Sequence, residues 1–259
     1  MTRFLHRARL SEFAWDLALL ALILAIGDAI AGLFSGIGYR LDLWDYRDGI
    51  GALRYVFWFA AGVCAAAAAA VILGIVCRRP GAIACGSIAL VIAGITAYVP
   101  WSLREQLNRV PPIHDISTDT ANPPLFVRIA ATRRTSQHSV AYDGPEVAAL
   151  QKKGYPDIAP LVLRSPPDKV FKAAQSVLAG MGLEVVDANP GQGRIEATDQ
   201  SLLFGFEDDV VVRIVAGADG ATTVDIRSKS RVGRSDLGIN AHRIRAFSST
   251  LRKRVAAPP

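Results

Sequence analysis

The sequence predicts an N-terminal three-helix transmembrane bundle followed by an α+β domain, an antiparallel sheet with two helices on one face. Three observations carry this reading. Mean hydropathy is +0.28, with 51% hydrophobic and 20% charged residues, which is too apolar for an ordinary soluble chain. The apolar residues crowd into the part before Leu103. Beyond residue 160, strand-like alternation and helix-like periods are punctuated by turn residues. So much apolar surface excludes a disordered chain, and only three cysteines exclude a disulfide-stapled scaffold. Three segments result: residues 1–103 as a membrane anchor, 104–160 as a proline-rich extended arm, and 161–255 as the α+β domain.

Each predicted span is long enough to cross a bilayer. Phe13 to Tyr39 is interrupted only by Asp16 and Asp28, while Tyr55 to Cys77 and Gly81 to Leu103 carry no charge. A hydrocarbon core of about 30 Å needs roughly 20 apolar helical residues. A cleaved signal peptide does not fit the first stretch, because its apolar run is too long and two more follow. Small residues let helices approach closely in lipid. Gly81, Cys85, Ala89, Ala93 and Ala97 recur every fourth residue, Gly32 and Gly36 form a G-x-x-x-G pair, and Ala66, Ala70 and Gly74 form a second small stripe. Cys64, Cys77 and Cys85 all lie in or beside the spans and read as packing residues, so no metal site and no cofactor is expected. Asp28 is the one ionisable residue deep in a span, a candidate intramembrane acid. Its simplest reading is a protonated acid, or a hydrogen bond to Ser87 or Thr96 within the bundle.

Lys and Arg in short loops set orientation. Arg3, Arg7 and Arg9 precede the first span, and Arg78 and Arg79 join the second to the third. Arg40, Arg47 and Arg54 lie in the other loop. The balance places the N-terminus in the cytoplasm and, after three crossings, the C-terminal domain on the periplasmic side of a bacterial inner membrane.

In the arm, Pro111-Pro112 and Pro123-Pro124 hold the backbone extended, and Ile113, Ile116, Leu125 and Phe126 offer apolar anchors onto a folded domain. His114, Asp115 and Asp119 form a candidate arm site, with turn and capping chemistry as the simpler role. In the domain, Leu161 to Arg164 reads as a short strand, and Ser165-Pro166-Pro167-Asp168 as a helix start with Ser165 as N-cap. Glu184–Asp187 and Arg194–Thr198 form a hairpin across Asn189-Pro190-Gly191. Asp208–Val215 and Thr222–Ser230 form another across Ala218-Asp219-Gly220. A last helix runs from about Asp236 to Arg254, with Leu237, Ala241, Ile244, Phe247, Leu251 and Val255 inward. The layout is helix-grip-like, which by itself implies no function.

Two-residue alternation makes a sharper prediction. Asp209, Val211 and Arg213 share one strand face, and Asp225, Arg227, Lys229 and Arg231 share one on the next strand. Together with Arg234, Asn240 and Arg243 around the following turn and helix, these residues form a candidate anion- or partner-binding surface. Arginine can hold carboxylate or phosphate through paired hydrogen bonds. Cross-strand charge pairing is the structural alternative.

The motifs IHDISTDTANPPLF, IEATDQSLLFGFEDDVVVRI and VDIRSKSRVGRSDLGINAHRIRAF resemble the domain-of-unknown-function 1499 family over roughly residues 104–254. The pattern is matched at His114, Asp115, Thr118, Asp119, Pro123 and Pro124. It is matched again at Phe206, Asp208, Asp209, Arg213, Asp225, Arg227, Ser228, Ser230, Arg231, Gly233, Asp236, Asn240, Arg243 and Ile244. That resemblance implies an architecture shared with bacterial and plastid proteins and no agreed activity.

The expected function is therefore a non-catalytic ligand-, lipid- or protein-binding domain held at the membrane. The expected partners are the lipid bilayer and a membrane protein or anionic ligand. An enzyme with an Asp/His acid-base site between arm and sheet, using His114 with Asp208, Asp209 or Asp236, is the alternative. A transport accessory role would rest on Asp28. Nucleic acid is not expected despite a pI near 9.5, because basic and acidic residues interleave too closely to form a phosphate-tracking stripe.

Overall fold

Helix α1 (Thr2–Arg40), α2 (Tyr46–Cys77) and α3 (Pro80–Arg109) open the chain in the computed structural model, which describes residues 2–133, 137–217 and 220–256. All three are long and apolar enough to cross a membrane. The chain divides into two units, Met1–Glu105 with Leu203–Gly205, and Gln106–Leu202 with Phe206–Pro259.

The helical unit is built on alanine. Ala14 and Ala18 of α1 meet Ala70 and Ala82, and Ala21 and Ala25 meet Val63, Ala67, Ala89 and Ala93. A β-carbon on Gly86 would come within 2.9 Å of Val71 Cγ2 and 3.2 Å of the Ala67 carbonyl, so the absence of a side chain there sets the approach of α2 and α3. The buried face of α3 is Ala82, Gly86, Ala89 and Ala93. The expected row through Gly81, Cys85 and Ala97 is only half-buried. The reason is geometric: a helix has 3.6 residues per turn, so a strict four-residue row drifts off the contact and the real face steps by four, three and four. Asp45 caps α2, its side chain accepting from the Arg47 N–H. Asp28 is buried, and its Oδ2 has no hydrogen-bond partner. The expected partners do not serve it, because the Thr96 hydroxyl donates to the Ile92 carbonyl at 2.9 Å and Ser87 is exposed.

The second unit is a sheet of six strands. They are β1 (Asp115–Ser117), β2 (Leu161–Leu163), β3 (Glu184–Asn189), β4 (Arg194–Gln200), β5 (Glu207–Ala216) and β6 (Thr222–Ser230). The order is β1-β6-β5-β4-β3, with β2 also paired to β6, and every pairing is antiparallel. Helices α6 (Pro167–Gly180) and α7 (Ile239–Ala256) cover one face. Phe171, Leu178, Phe247 and Leu251 pack there on Ile195, Val210, Val212 and Ile226.

Local chemistry fixes the element ends. Ser165 does not cap α6. Pro166 holds that position in extended backbone, with Pro167 in the first turn. The Ser165 carbonyl instead accepts from the Thr222 hydroxyl at 2.6 Å. Leu237 is not part of α7, since it sits before the helix with φ +56°. Asp236 is the true cap, accepting from the N–H groups of Gly238 at 2.8 Å and Asn240 at 3.0 Å. In the β3–β4 turn, Asn189 accepts from the Gln192 N–H at 3.1 Å. Gly193 at φ +58° lies where a β-carbon would be 2.1 Å from the Ile214 carbonyl, so only glycine fits. Of the expected β5–β6 turn, Ala218 and Asp219 lie outside the described residues.

The arm is not simply extended. It contributes edge strand β1 and two helices, α4 (Arg128–Thr132) and α5 (Pro145–Gly154). Phe126 and Ile129 pack on Val211, on the sheet face opposite α6 and α7. The sheet is therefore covered on both sides.

Candidate functional site

The register of β5 on β6 sets Asp209 opposite Lys229, Val211 opposite Arg227, and Arg213 opposite Asp225. The alternating charges thus form one lattice on the face beneath the arm. That face is interior: Glu196, Asp209, Arg227 and Lys229 are each 0% exposed. Burying ions is costly unless each finds a partner and hydrogen bonds.

Arg227 is the centre. Its Nε and Nη2 donate to Asp115 Oδ1 and Oδ2, both at 2.8 Å, a paired arrangement that uses the planar guanidinium fully. It also donates to the carbonyls of Val140 at 3.0 Å and Pro124 at 3.3 Å. The rings of Phe126 and Tyr142 lie 5.0 and 5.4 Å from its central carbon. Lys229 donates to Asp143 Oδ1 and the Ala141 carbonyl, each at 2.6 Å, and lies 3.2 Å from Asp115. The strand thus grips the arm at two places, Asp115 with Pro124 and Val140 with Ala141 and Asp143, through its charged side chains.

The remaining pairs follow the same logic. Arg213 joins Asp225 at 2.8 Å to Asp119 at 3.0 Å, while Asp119 also closes a turn by accepting from Ala121 and Asn122. Arg231 bridges Asp209 and Glu207, and Arg133 Nε lies 3.4 Å from Asp209. Glu196 accepts the first N–H groups of α4, from Val127, Arg128 and Ile129, a carboxylate placed at the positive end of a helix. Buried Gln151 of α5 exchanges two hydrogen bonds with the Ser117 backbone, satisfying the open edge of β1.

Asn240 and Arg243 belong to the other face. Arg243 reaches Asp199 at 2.6 Å, Asp208 at 2.8 Å and the Ser228 hydroxyl at 2.8 Å. Burial alone would lower its pKa, but Asp208 and Asp199 hold it above the ordinary arginine value. Asn240 accepts from Ser228 at 2.6 Å. Arg234 alone of the expected surface residues is exposed. The structure therefore separates that surface into a sealed arm-side lattice, a helix-side cluster and a solvent-exposed arginine.

The arm site is different from the expected one. His114 Nε2 lies 3.0 Å from Asp143 Oδ2, and its ring stacks on His138 at 3.8 Å and 22°. His138 Nε2 donates to the Gly233 carbonyl at 2.9 Å. Burial would raise the Asp143 pKa, but His114 beside it and the hydrogen bond from Lys229 hold it well below the usual carboxylate range. Burial and the nearby Asp115 carboxylate push Tyr142 up to about 12, and its buried hydroxyl has no partner. Asp208, Asp209 and Asp236 are engaged elsewhere, with Arg243, Arg231 and the α7 cap respectively. Asp143, His138, Tyr142 and Glu196 were not singled out by the sequence, where none stands in a periodic or spaced pattern. Lys229 was visible only through strand alternation.

Among the described residues no group of three His, Cys, Asp or Glu could hold a metal ion. A cavity of about 270 Å³ lies away from the lattice, between Pro167, Asp168 and Phe171 on one side and Pro190–Gly193 and Ile214–Ala216 on the other.

Three helices long and apolar enough to cross a membrane, followed by an antiparallel sheet domain with helices, define the class of this protein. The family model described as "Protein of unknown function (DUF1499)" matches residues 115–251, more than half of the chain, and the chain belongs to that family. No curated protein matches it.

Proposed function

We propose that this chain is a multi-pass protein of the bacterial inner membrane that presents a non-catalytic ligand-, lipid- or protein-binding domain on the periplasmic side. The loop arginines support that orientation. One observation carries the binding reading: among the described residues the charged lattice closes inward on the arm and opens at its rim. There Arg213 and Asp119 are 24% and 25% exposed, Arg231 and Glu207 are 22% and 37% exposed, and Arg234 is exposed. Arg213 and Arg231, already held in place by carboxylates, are preorganised for an anionic group, since little side-chain entropy is lost on contact. The test is purification of the full chain from solubilised membranes, with mass spectrometry of bound lipids and proteins. Arg213→Ala and Arg234→Ala are expected to lose an anionic species that wild type retains. Identical bound species in wild type and both variants would end this reading.

A second reading rests on the His114–Asp143 contact at 3.0 Å. A histidine oriented by a carboxylate is the arrangement a general base requires. It predicts a small-molecule substrate reaching the His114 ring. A broad hydrolase screen in which wild type and His114→Ala behave alike would remove it.

A further inference from the structure

We propose that α2 carries a phospholipid-binding groove, in which Arg47 and Arg54 hold the phosphate of one glycerophospholipid and Asp48 faces an ammonium on its headgroup. The inference goes beyond the binding reading above, whose site is the lattice rim. It rests only on α2 crossing a bilayer, in either orientation.

The groove follows from helix geometry. Arg47, Gly51 and Arg54 are spaced by four and three residues and so share one face of α2, with Asp48, Ala52 and Tyr55 on the adjoining row. Together these residues line a groove of about 500 Å³. Gly49 and Gly51 stand in this turn for different reasons. A β-carbon on Gly49 would lie 2.4 Å from the Ser35 carbonyl, so packing within the bundle explains that glycine. Among the described residues, nothing lies within 4 Å of a β-carbon on Gly51. Glycine weakens a helix relative to alanine, and at Gly51 no neighbour in the protein accounts for it. Its effect is to leave the floor of the groove open between two guanidinium groups.

Those guanidinium groups are not taken by carboxylates. Arg47 lies over the Tyr46 ring at 5.3 Å and Arg54 over the Tyr55 ring at 5.0 Å. Arg54 Nη2 also donates to the Tyr55 hydroxyl at 3.1 Å. Among the described residues neither forms an ion pair, whereas Arg213 and Arg231 each hold a carboxylate. Both side chains are exposed, so donors remain for a phosphate, which guanidinium binds through paired N–H groups. Seven residues separate the two arginines by about 10 Å along the axis, a span that their side chains close from either end over Gly51.

Depth fits the same ligand. The uncharged run of α2 begins at Tyr55, and Gly51 stands about 6 Å outside that edge. The polar layer of one leaflet is about 5–7 Å thick, which puts the groove at the level of the phosphates. Asp48 lies about 4–5 Å further out, on the side where a headgroup ammonium extends. Inward from the groove, exposed Tyr55 and Trp58 and Gly62, whose outer face is also open, continue the stripe and give one acyl chain a track.

Native mass spectrometry of the full chain in detergent micelles, with phosphatidylethanolamine or phosphatidylglycerol added, tests this. Wild type is expected to retain one phosphatidylethanolamine in preference to phosphatidylglycerol. Arg47→Gln combined with Arg54→Gln is expected to weaken retention about tenfold or more, since both charged hydrogen-bond donors are lost. Gly51→Leu keeps both charges, meets no neighbour and favours the helix. It is expected to weaken retention as much, by filling the groove. Arg213→Ala, at the lattice rim, is expected to leave retention unchanged, so the two readings fail separately. Wild-type retention in Gly51→Leu or in the double arginine variant would overturn the proposal. So would a wild-type preference for phosphatidylglycerol, or displacement of the lipid by inorganic phosphate. Unchanged retention together with a dimer that Gly51→Leu splits would give the groove to a second copy of the chain instead.

Discussion

Arg227→Met preserves length and removes the charge at the centre of the sealed lattice. Both Arg227 and Asp115 side chains are 0% exposed. The change strands a buried carboxylate whose remaining cation is Lys229 at 3.2 Å. Breaking a buried pair from one side costs about 3–5 kcal/mol. Lys229 moderates the loss of charge, while the abandoned carbonyls of Val140 and Pro124 add to the cost by roughly 1 kcal/mol or more where water does not reach them. The expected destabilisation of about 3–5 kcal/mol is a large part of a domain's stability, typically about 5–15 kcal/mol. At about 1.4 kcal/mol per tenfold change, protection of the slowest amides in β5 and β6 falls by two to four powers of ten. Exchange is the right assay because Trp15, Trp44, Trp58 and Trp101 all precede Gln106, so tryptophan fluorescence is blind to this unit. The pair Asp115→Leu with Arg227→Met is expected to recover most of the loss, since no ion is then stranded. An Arg227→Met chain within about 1 kcal/mol of wild type, or a double variant as weak as the summed single changes, would refute the reasoning.

Three further outcomes follow from the same geometry. Glu196→Ala removes the acceptor for three N–H groups at the start of α4 and is expected to cost about 1–2 kcal/mol, seen as lost exchange protection at residues 127–133 with α6 unaffected. Gly193→Ala places a β-carbon against the Ile214 carbonyl at a positive φ. It should cost at least about 2 kcal/mol, from the left-handed penalty of about 1–2 kcal/mol plus the clash, and should lower the denaturant midpoint of the β3–β4 hairpin amides. Asp143, held below the ordinary carboxylate value, contributes its contact fully above about pH 4 and loses it as pH falls further. Asp143→Asn should therefore flatten the stability of residues 137–144 below pH 4, read as exchange protection at those residues.

The parts of this architecture legible in the sequence are those set by local periodicity. Long apolar runs mark the three helices, and alternation in Asp208–Val215 and Thr222–Ser230 puts Asp209, Arg213, Asp225, Arg227 and Lys229 on one face, as the register places them. Errors arose where a simple spacing stood in for geometry. A four-residue row on α3 meets the buried face at Ala89 and Ala93 and leaves it at Gly81, Cys85 and Ala97. A favourable N-cap type at Ser165 lost to the extended backbone that consecutive prolines impose.

The candidate site was legible only in half. Asp115 and Arg227 are far apart in the chain, as are Asp143 and Lys229, and no spacing rule connects them. Alternation alone determines that β5 and β6 carry a mixed-charge face, because successive side chains must point to opposite sides of a strand. Whether that face meets water or the protein's own arm is a question of long-range packing. Once Phe126 and Ile129 settle on Val211, water is excluded and every buried cation beneath must take a carboxylate from the arm or the sheet. Tertiary structure thus decided that the buried part of this face fastens the arm, because an ion deprived of water is held by whichever opposite charge is buried with it.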